Sequence, residues 1–227
     1  MIYGLIALAL LSLILGPQIW VRQVMDRHAA DRPDLPGTGG ELARHLLDRY
    51  GLDTVGVEAL AAGGDHYDPD ARTVRLSPRN HDGRSVTAVA VAAHEVAHAI
   101  QHAQGNRLFF LRTRLARLLG TVDKVAMVIL VAVPVVLALT RVPAIGIVQF
   151  GAVVALLGLA VVVHLLTLPV EFDASFGKAL PLLDHDRYLD AADMPAARGV
   201  LRAAAMTYVA ASLMGLLDFL RILRVLR

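Results

Sequence analysis

Cysteine is absent from this chain of 227 residues, and charged residues are scarce. Without cysteine the chain has no disulfide framework, no iron–sulfur cluster and no thiolate chemistry. Charged residues make up 19% of the sequence and hydrophobic residues 56%, against about a quarter and about half in an ordinary soluble domain. The hydrophobic residues also come in long blocks. This composition excludes a disordered chain and argues against a purely soluble protein.

Lysine is nearly absent as well, since Arg supplies 20 of the 22 basic residues, and the formal net charge is only +2. The Arg residues are scattered near the hydrophobic blocks and do not form one continuous stripe. We therefore expect no nucleic-acid partner. The blocks themselves predict the lipid bilayer as a partner.

The first block, residues 1–21, carries no charged side chain and ends at Trp20 and Arg22. It is long enough to cross a bilayer of about 30 Å as a helix. A cleaved signal peptide is the alternative, but no basic residue precedes the block and no small-x-small cleavage site ends it. We predict an uncleaved transmembrane anchor over residues 1–22.

Two further blocks, 125–140 and 142–170, are separated only by Arg141 and predict a transmembrane hairpin over residues 121–168. The C-terminal part, residues 201–227, holds a shorter apolar run and a tail with Arg at every third position. This part is either a fourth span or an amphipathic helix at the membrane interface. The pattern slightly favours a span.

The remaining residues, 23–120 and 169–200, are polar enough for a small folded region. Thr38 and Glu41 form a capping-box pattern at the start of a predicted helix that ends near Gly51. Two short runs beyond this helix predict strands. The predicted fold class is a mainly α membrane protein, with three or four transmembrane helices and a small α+β region.

The chemistry lies on a predicted helix that begins after Ser85 and ends before Gly105. His94 and His98 lie on one face of this helix, about 40° apart, and the opposite face is apolar. Two imidazoles one turn apart can bind the same zinc ion, and Glu95 beside them reaches the metal-bound water. The helix is therefore the candidate catalytic element.

These residues form an H-E-x-x-H motif, which a shuffled chain of this composition would contain only about 0.006 times. A catalytic zinc also needs a third protein ligand. Glu171 is the candidate, because a hairpin is an even number of spans and returns the chain to the side that bears the motif. The alternative for Glu171 is an interfacial charge that caps a helix. His102, the rival ligand, lies about 12 Å from His94 along the helix axis and is expected at the rim.

Four segments together carry a resemblance to a known family: Asp65–Pro69, Val74–Ser77, His94–Gln101 and Leu168–Ser175. They resemble the YugP-like membrane zinc metallopeptidases of bacteria, which are gluzincin-type H-E-x-x-H peptidases. The resemblance spans nearly the whole chain, in the order anchor, motif helix, hairpin and glutamate segment. The motif helix is shared by many zincins, so the flanking segments make the match specific. The resemblance implies a zincin-like catalytic region.

The resemblance further implies one Zn²⁺ ion bound by His94, His98 and Glu171. Related gluzincins, the HtpX-like and CAAX prenyl endopeptidases, place an Asp four residues after the ligand Glu, where it orients a ligand histidine. This chain has Ser175 at that position. Asp173 is nearby at a different helical angle and is the candidate partner of a ligand histidine.

Under the same resemblance, Glu95 takes a proton from water and passes it to the leaving amine. Candidates for stabilising the oxyanion or binding the substrate are His66, Tyr67 and His102, and the sequence does not separate them. The strand Thr73–Leu76 is either a sheet edge on which an extended substrate pairs or a support for the site.

The sequence thus predicts a multi-pass, membrane-anchored zinc endopeptidase that cleaves peptides or membrane proteins at the cytoplasmic surface of the cell membrane. The positive-inside rule favours this orientation, because many Arg residues precede the hairpin and little beyond Arg141 lies on its far side. One alternative is an intramembrane site-2-type protease. The other is a non-catalytic membrane protein such as a transporter or an assembly factor.

Overall fold

The computed structural model describes residues 2–61, 64–185, 188–207 and 210. The chain divides into two compact units. The first contains the residues up to Gln18 together with Leu111–Thr167. The second contains Ile19–Phe110 together with Leu168–Thr207. The second unit holds a small sheet and the motif helix, and the first holds long apolar helices.

The chain is mainly helical and contains one small sheet. The first part of the chain forms α1 (Ile2–Arg27), α2 (Gly39–Arg49), β1 (Gly56–Ala59), β2 (His66–Asp68), β3 (Thr73–Leu76), α3 (Pro78–His81) and α4 (Val86–Ala103). The second part forms α5 (Arg107–Thr140), α6 (Pro143–Phe172), a π-helix (Asp173–Ala179), α7 (Leu180–His185) and α8 (194–207). The helix α6, the π-helix and α7 follow one another without a break.

Two helical stretches are long and apolar enough to cross a membrane, judged by length and composition within the described residues. They are Arg107–Thr140 and Ala144–His185. Many of their apolar side chains are exposed, as at Leu139 (80%) and Val148 (72%). The core helix of a soluble protein would instead be covered by its own chain. These two helices therefore support membrane association.

The two other predicted spans lie at the ends of the chain. The N-terminal block forms the single helix α1 of 26 residues, which contains Pro17. The expected C-terminal helix begins within α8, but residues 208, 209 and 211–227 lie outside the described part of the chain. The structure therefore contains both helices of the expected hairpin, and a total of three or four spans stays a prediction.

Helix α4 is the centre of the second unit, and every residue from Val86 to Gln101 is buried. Ser85 caps it as predicted, because the side chain accepts a hydrogen bond from the backbone N–H of Ala88 (3.0 Å). Leu46 and Leu47 of α2 are fully buried in the same core. The apolar back that the sequence predicts for α4 is thus covered by neighbouring elements of this unit.

The sheet has the strand order β1-β3-β2, with β1 parallel and β2 antiparallel to β3. Thr73–Leu76 forms β3 with the bounds that the sequence predicts, but it is the central strand. Because both of its edges are already paired, an extended substrate cannot pair with it. That alternative is wrong, and β3 supports the sheet. Strand order depends on pairing between distant segments, which alternation in a single strand does not encode.

The predicted helix ends are confirmed by local geometry. Thr38 and Glu41 form a complete capping box at the start of α2. Gly51 and Gly105 have φ of +66° and +67°, the left-handed conformation that commonly ends a helix. Gly39 at the start of α2 meets a different demand, because a Cβ there would clash with the carbonyl oxygen of Asn80. Helices α2 and α3 therefore approach each other at backbone distance.

Candidate metal centre

Helix α4 brings two imidazoles together. His94 and His98 are one turn apart, their ring centroids are 4.7 Å apart, and the rings are nearly perpendicular. Only 4% of His94 and 1% of His98 is exposed. The spacing of four residues places both rings on the same face, as the sequence predicts.

Glu171 reaches the same point from the end of α6. Its Oε2 atom lies 3.3 Å from Nε2 of His94 and 3.2 Å from Nε2 of His98, and its side chain is fully buried. The π-helix begins two residues later, at Asp173. Single π-helical turns within longer helices are frequently found at functional sites. The structure thus brings together the three residues that the sequence proposes as ligands.

The donor set suits a divalent metal ion. The ligand atoms of His94, His98 and Glu171 all lie within 4.8 Å of one another. Two imidazole nitrogens and one carboxylate oxygen are the protein ligands of many catalytic zinc sites. A carboxylate with no exposure to water also needs a compensating positive charge, which a bound cation provides. These residues therefore fit zinc.

The far side of each imidazole contacts a polar side chain. Nδ1 of His98 lies 2.9 Å from Oε1 of Gln101. Nδ1 of His94 lies 3.0 Å from Oγ of Ser175. Ser175 is fully buried and donates its hydroxyl proton to the carbonyl oxygen of Leu201 (2.9 Å). Each candidate ligand thus has one nitrogen toward the metal position and the other on a neighbouring side chain.

Asp173 contributes through Gln101. Its Oδ2 atom accepts a hydrogen bond from Nε2 of Gln101 (2.7 Å), and the same nitrogen donates to the carbonyl oxygen of Val170 (3.1 Å). Lys178 lies 4.0 Å from the same Asp173 oxygen. The sequence reasoning gave Asp173 a direct role beside a histidine and gave Gln101 none. The position of Gln101 could have indicated its contact with His98, because it lies three residues after that histidine on the same face of α4.

Glu95 lies on α4 next to His94 and is buried, with 7% exposed. Among the described residues, four buried side chains able to carry charge therefore lie within one segment of α4 and at the end of α6: His94, Glu95, His98 and Glu171. Burying so many ionisable groups is unfavourable unless they are paired or bind a metal. Such a cluster points to a functional site.

Of the three candidates for oxyanion stabilisation, Tyr67 and His102 contact each other, and His66 contacts the backbone. The ring of His66 contacts the carbonyl oxygen of Gly64. Tyr67 lies with its hydroxyl 2.9 Å from Nδ1 of His102. Phe109, fully buried, has its ring centroid 6.1 Å from that of His98 and 5.4 Å from that of His102. Tyr67 and His102 thus form a pair beside the metal site.

This pair is held in its neutral form. Burial raises the pKa of the Tyr67 hydroxyl, so that it keeps its proton. Burial also lowers the pKa of His102, and the positive charge of Arg72 acts in the same direction. Both groups are therefore uncharged near neutral pH, and the Tyr67 hydroxyl and Nδ1 of His102 share one hydrogen bond.

The acidic residues around β2 have a structural task. Asp65 accepts hydrogen bonds from the backbone N–H of Ser77 (2.6 Å) and from Nδ2 of Asn80 (2.7 Å), which ties the start of β2 to α3. Asp68 accepts from the backbone of the following turn and from Arg75 (2.6 Å). These contacts lower the pKa of Asp68, with the backbone N–H of Ala71 as the largest cause.

A helix that carries H-E-x-x-H, with a buried glutamate beside its two histidines, defines a zinc-peptidase type of site. The family described as "Putative neutral zinc metallopeptidase" matches residues 3–227, and the chain belongs to that family. Among individual proteins, the chain is similar to "Putative membrane protease YugP" of Bacillus subtilis (strain 168). The two are 34% identical over 222 residues, which cover 97% of this chain and 95% of that protein. The resemblance seen in the sequence is confirmed. No solved structure gave a significant match.

Proposed function

We propose that this protein is a membrane-anchored, zinc-dependent endopeptidase. The observation that carries the proposal is the convergence of His94, His98 and Glu171, whose ligand atoms lie within 4.8 Å of one another in a buried site. Membership of a zinc metallopeptidase family supports it. The name of the Bacillus subtilis relative supports a protease that acts at a membrane.

In this proposal, His94, His98 and Glu171 hold one zinc ion through two Nε2 atoms and a carboxylate oxygen. A zinc ion held there supplies Lewis acidity, which lowers the pKa of a water molecule and polarises the scissile carbonyl. The low exposure of these residues keeps bulk water away and so strengthens their electrostatic interactions.

Glu95 is the general base. Its carboxylate accepts a proton from the attacking water and then gives it to the nitrogen of the leaving amine, so the glutamate ends the cycle as it began. General acid–base groups of this kind contribute about 10²- to 10⁴-fold to rate. The Tyr67–His102 pair is the candidate for contacting the substrate, since both rings pack against Phe109, which also packs against His98.

The membrane part comprises α1, α5 and α6, with a fourth span at the C-terminus as an open question. The Arg residues before the hairpin favour a cytoplasmic location for the second unit under the positive-inside rule. Substrates are peptides or membrane proteins that present a cleavable segment at this surface. The motif helix α4 is absent from the candidate spans found among the described residues, which favours this reading over an intramembrane protease.

The test of the proposed function combines metal analysis with cleavage. The full chain is purified in detergent as wild type, Glu95→Gln, His94→Ala and Glu171→Ala, and its zinc content is measured beside cleavage of unfolded casein. We expect about one zinc per wild-type and Glu95→Gln chain and almost none in the other two. Only the wild type should cleave. A wild-type chain that binds no zinc after reconstitution would contradict the proposal and favour the non-catalytic alternative.

The orientation can be tested cleanly because the chain has no native cysteine. Single cysteines replace Asp53 in the second unit and Val142 between α5 and α6, both of which are surface positions. A membrane-impermeant thiol reagent should label Asp53→Cys only in inverted vesicles and Val142→Cys only in right-side-out vesicles. The reverse pattern would place the catalytic region outside the cell.

A further inference from the structure

Both candidate ligand histidines use Nε2 toward Glu171, and both place Nδ1 on a side chain that is not itself a ligand. A neutral imidazole has one proton, and only the nitrogen without it can bind a metal. Which nitrogen carries the proton is set by the hydrogen bond that the other nitrogen makes. The contacts of Gln101 and Ser175 therefore decide whether the site is ready for a metal.

The orientation of the Gln101 amide follows from its surroundings. Its Nε2 atom lies 3.1 Å from the carbonyl oxygen of Val170 and 2.7 Å from Oδ2 of Asp173, and both of these atoms are acceptors. The reverse orientation would place the amide oxygen against two acceptors, so Nε2 must occupy this position. Oε1 then faces Nδ1 of His98 and can only accept. The proton of His98 is therefore on Nδ1.

The hydroxyl of Ser175 fixes the proton of His94 in the same way. Its hydroxyl has a single proton, and the carbonyl oxygen of Leu201 at 2.9 Å can only accept it. The oxygen of Ser175 is then the acceptor in its contact with Nδ1 of His94 at 3.0 Å. The proton of His94 is therefore also on Nδ1.

We propose that Gln101 and Ser175 are positioning residues that fix the two ligand histidines as Nδ1–H tautomers, with the lone pairs of both Nε2 atoms directed at the metal position. Asp173 is part of the same device, because it orients the amide of Gln101. The proposal rests on the proposed function, since it assigns roles around the same zinc site. It also explains how Ser175 can orient a ligand histidine at the position where related gluzincins have an Asp.

The device has a direct physical consequence. With both ring protons on Nδ1, the two Nε2 lone pairs and the carboxylate of Glu171 converge on one position, with Nε2 of His98 3.2 Å from Oε2 of Glu171. This is unfavourable unless a cation, or a proton shared with Glu171, lies between them. The rings need neither to rotate nor to exchange a proton when the metal binds. Both rings and both supporting side chains are buried, so water does not compete for the Nδ1 protons.

The first experiment reads the tautomers directly. The full chain, labelled with ¹⁵N-histidine and freed of metal, is studied in detergent by long-range ¹H–¹⁵N NMR at a pH where both imidazoles are neutral. Signals of His94 and His98 are assigned by His94→Gln and His98→Gln. We expect both rings as Nδ1–H tautomers in the wild type. In Gln101→Met only His98 should change, and in Ser175→Ala only His94.

The second experiment measures zinc affinity by competition with a chromogenic chelator. Loss of a group that supports a metal ligand typically weakens metal binding about 10- to 100-fold, which we expect for Gln101→Met and for Ser175→Ala. Asp173 is partly exposed, so Asp173→Ala should fold even if the other variants do not. It should weaken zinc binding less than tenfold, since Val170 still holds the amide.

Two matched controls separate positioning from general loss of structure. Gln104→Met makes the same chemical change three residues further on, at the residue that follows the end of α4, where the amide oxygen accepts a hydrogen bond from Lys178. Ser85→Ala removes the N-cap of α4 and weakens the helix without touching the site. Both should bind zinc within about twofold of the wild type, well below the 10-fold loss expected of a supporting group.

The outcomes distinguish this inference from the proposed function. A wild-type chain without zinc affinity contradicts the proposed function. A wild-type chain that binds zinc tightly, with Nε2–H tautomers in the apo protein or unchanged affinity in Gln101→Met and Ser175→Ala, overturns only the positioning roles. Changed tautomers together with weakened binding in these variants, and neither change in the two controls, support the inference.

Discussion

Helices α4 and α5 are both rich in apolar residues, yet they differ in almost every other respect. In α4 each residue from Val86 to Gln101 is buried, including two histidines and a glutamate. In α5 many apolar side chains are exposed, such as Val128 at 68% and Val131 at 63%. One helix buries ionisable groups and the other exposes apolar groups. Each reverses the ordinary rule for a soluble protein.

The two reversals have separate explanations. Buried ionisable side chains persist where they bind a metal or perform chemistry, because they otherwise destabilise the fold. Exposed apolar side chains on a long helix persist where the surrounding solvent is lipid. Apolar composition therefore does not say what a helix does. The function of a helix is indicated by the position of its few polar residues and by the elements that cover it.

Among the buried ionisable groups of α4, Glu95 is the one whose substitution should have the largest effect on activity. Glu95→Gln removes the proposed proton acceptor while keeping the size of a buried side chain on α4. We expect the rate of casein cleavage to fall about 10²- to 10⁴-fold, with zinc content unchanged. A variant that loses its zinc as well would mean that Glu95 serves the metal rather than the proton transfer.

A charge on the exposed face of α5 gives the next largest effect. An Asp at the centre of a membrane helix opposes insertion by about 2.5–3.5 kcal/mol. Val131→Asp should therefore reduce the fraction of protein recovered in the membrane after alkaline extraction. Val131→Ala is the control and should be recovered like the wild type. Equal recovery of Val131→Asp would show that this face of α5 is not covered by lipid.

Glycine substitutions compare the packing of the two units. Gly39→Ala would force α2 away from Asn80 and the carbonyl oxygen of Ala88, and we expect it to destabilise the second unit by about 1–3 kcal/mol. Gly120→Ala in α5 meets no atom within 4 Å and should stabilise its helix by up to about 1 kcal/mol. Thermal unfolding in detergent, followed by circular dichroism, measures both. Similar losses in the two variants would contradict the difference in packing.

The smallest effect concerns acid. Burial lowers the pKa of His102 below its ordinary value of about 6.5, so the unfolded chain binds a proton there more readily than the folded chain. The free energy of unfolding should therefore fall as the pH falls from about 6.5 toward the folded pKa. His102→Gln keeps an acceptor for Tyr67 and should flatten this dependence in denaturant titrations. An unchanged slope would assign the acid sensitivity to other groups.

Much of the site could be predicted because its signals are local. Ser85, the i, i+4 histidines and Gly105 fix the extent and the face of α4 within one helix. Glu171 could be predicted as a ligand from the even number of apolar blocks between it and the motif. The role of Gln101 could not be derived, because the orientation of its amide depends on Val170 and Asp173, which are distant in sequence.

The rest depends on contacts between distant segments. The central position of β3 is set by its pairing with both β1 and β2, and each strand alone reads the same at an edge or in the centre. The π-helix after Glu171 has no signal in residue type, since its sequence would fit an ordinary α-helix. The partnership of Ser175 with His94 depends on this wider turn and on α8, so it emerged only from the structure.

The distance along the chain between His98 and Glu171 is 73 residues, and α5 and all but the last two residues of α6 lie between them. During synthesis, a ribosome therefore completes the two imidazoles well before it makes the glutamate. The segment 171–175 supplies Glu171, Asp173 and Ser175, which we propose as the third ligand and as supports for both histidines. A nascent chain has no complete candidate metal centre until α6 has been made almost to its end. In the proposed enzyme, the order of the elements would thus delay the onset of proteolysis until translation has passed α5 and α6.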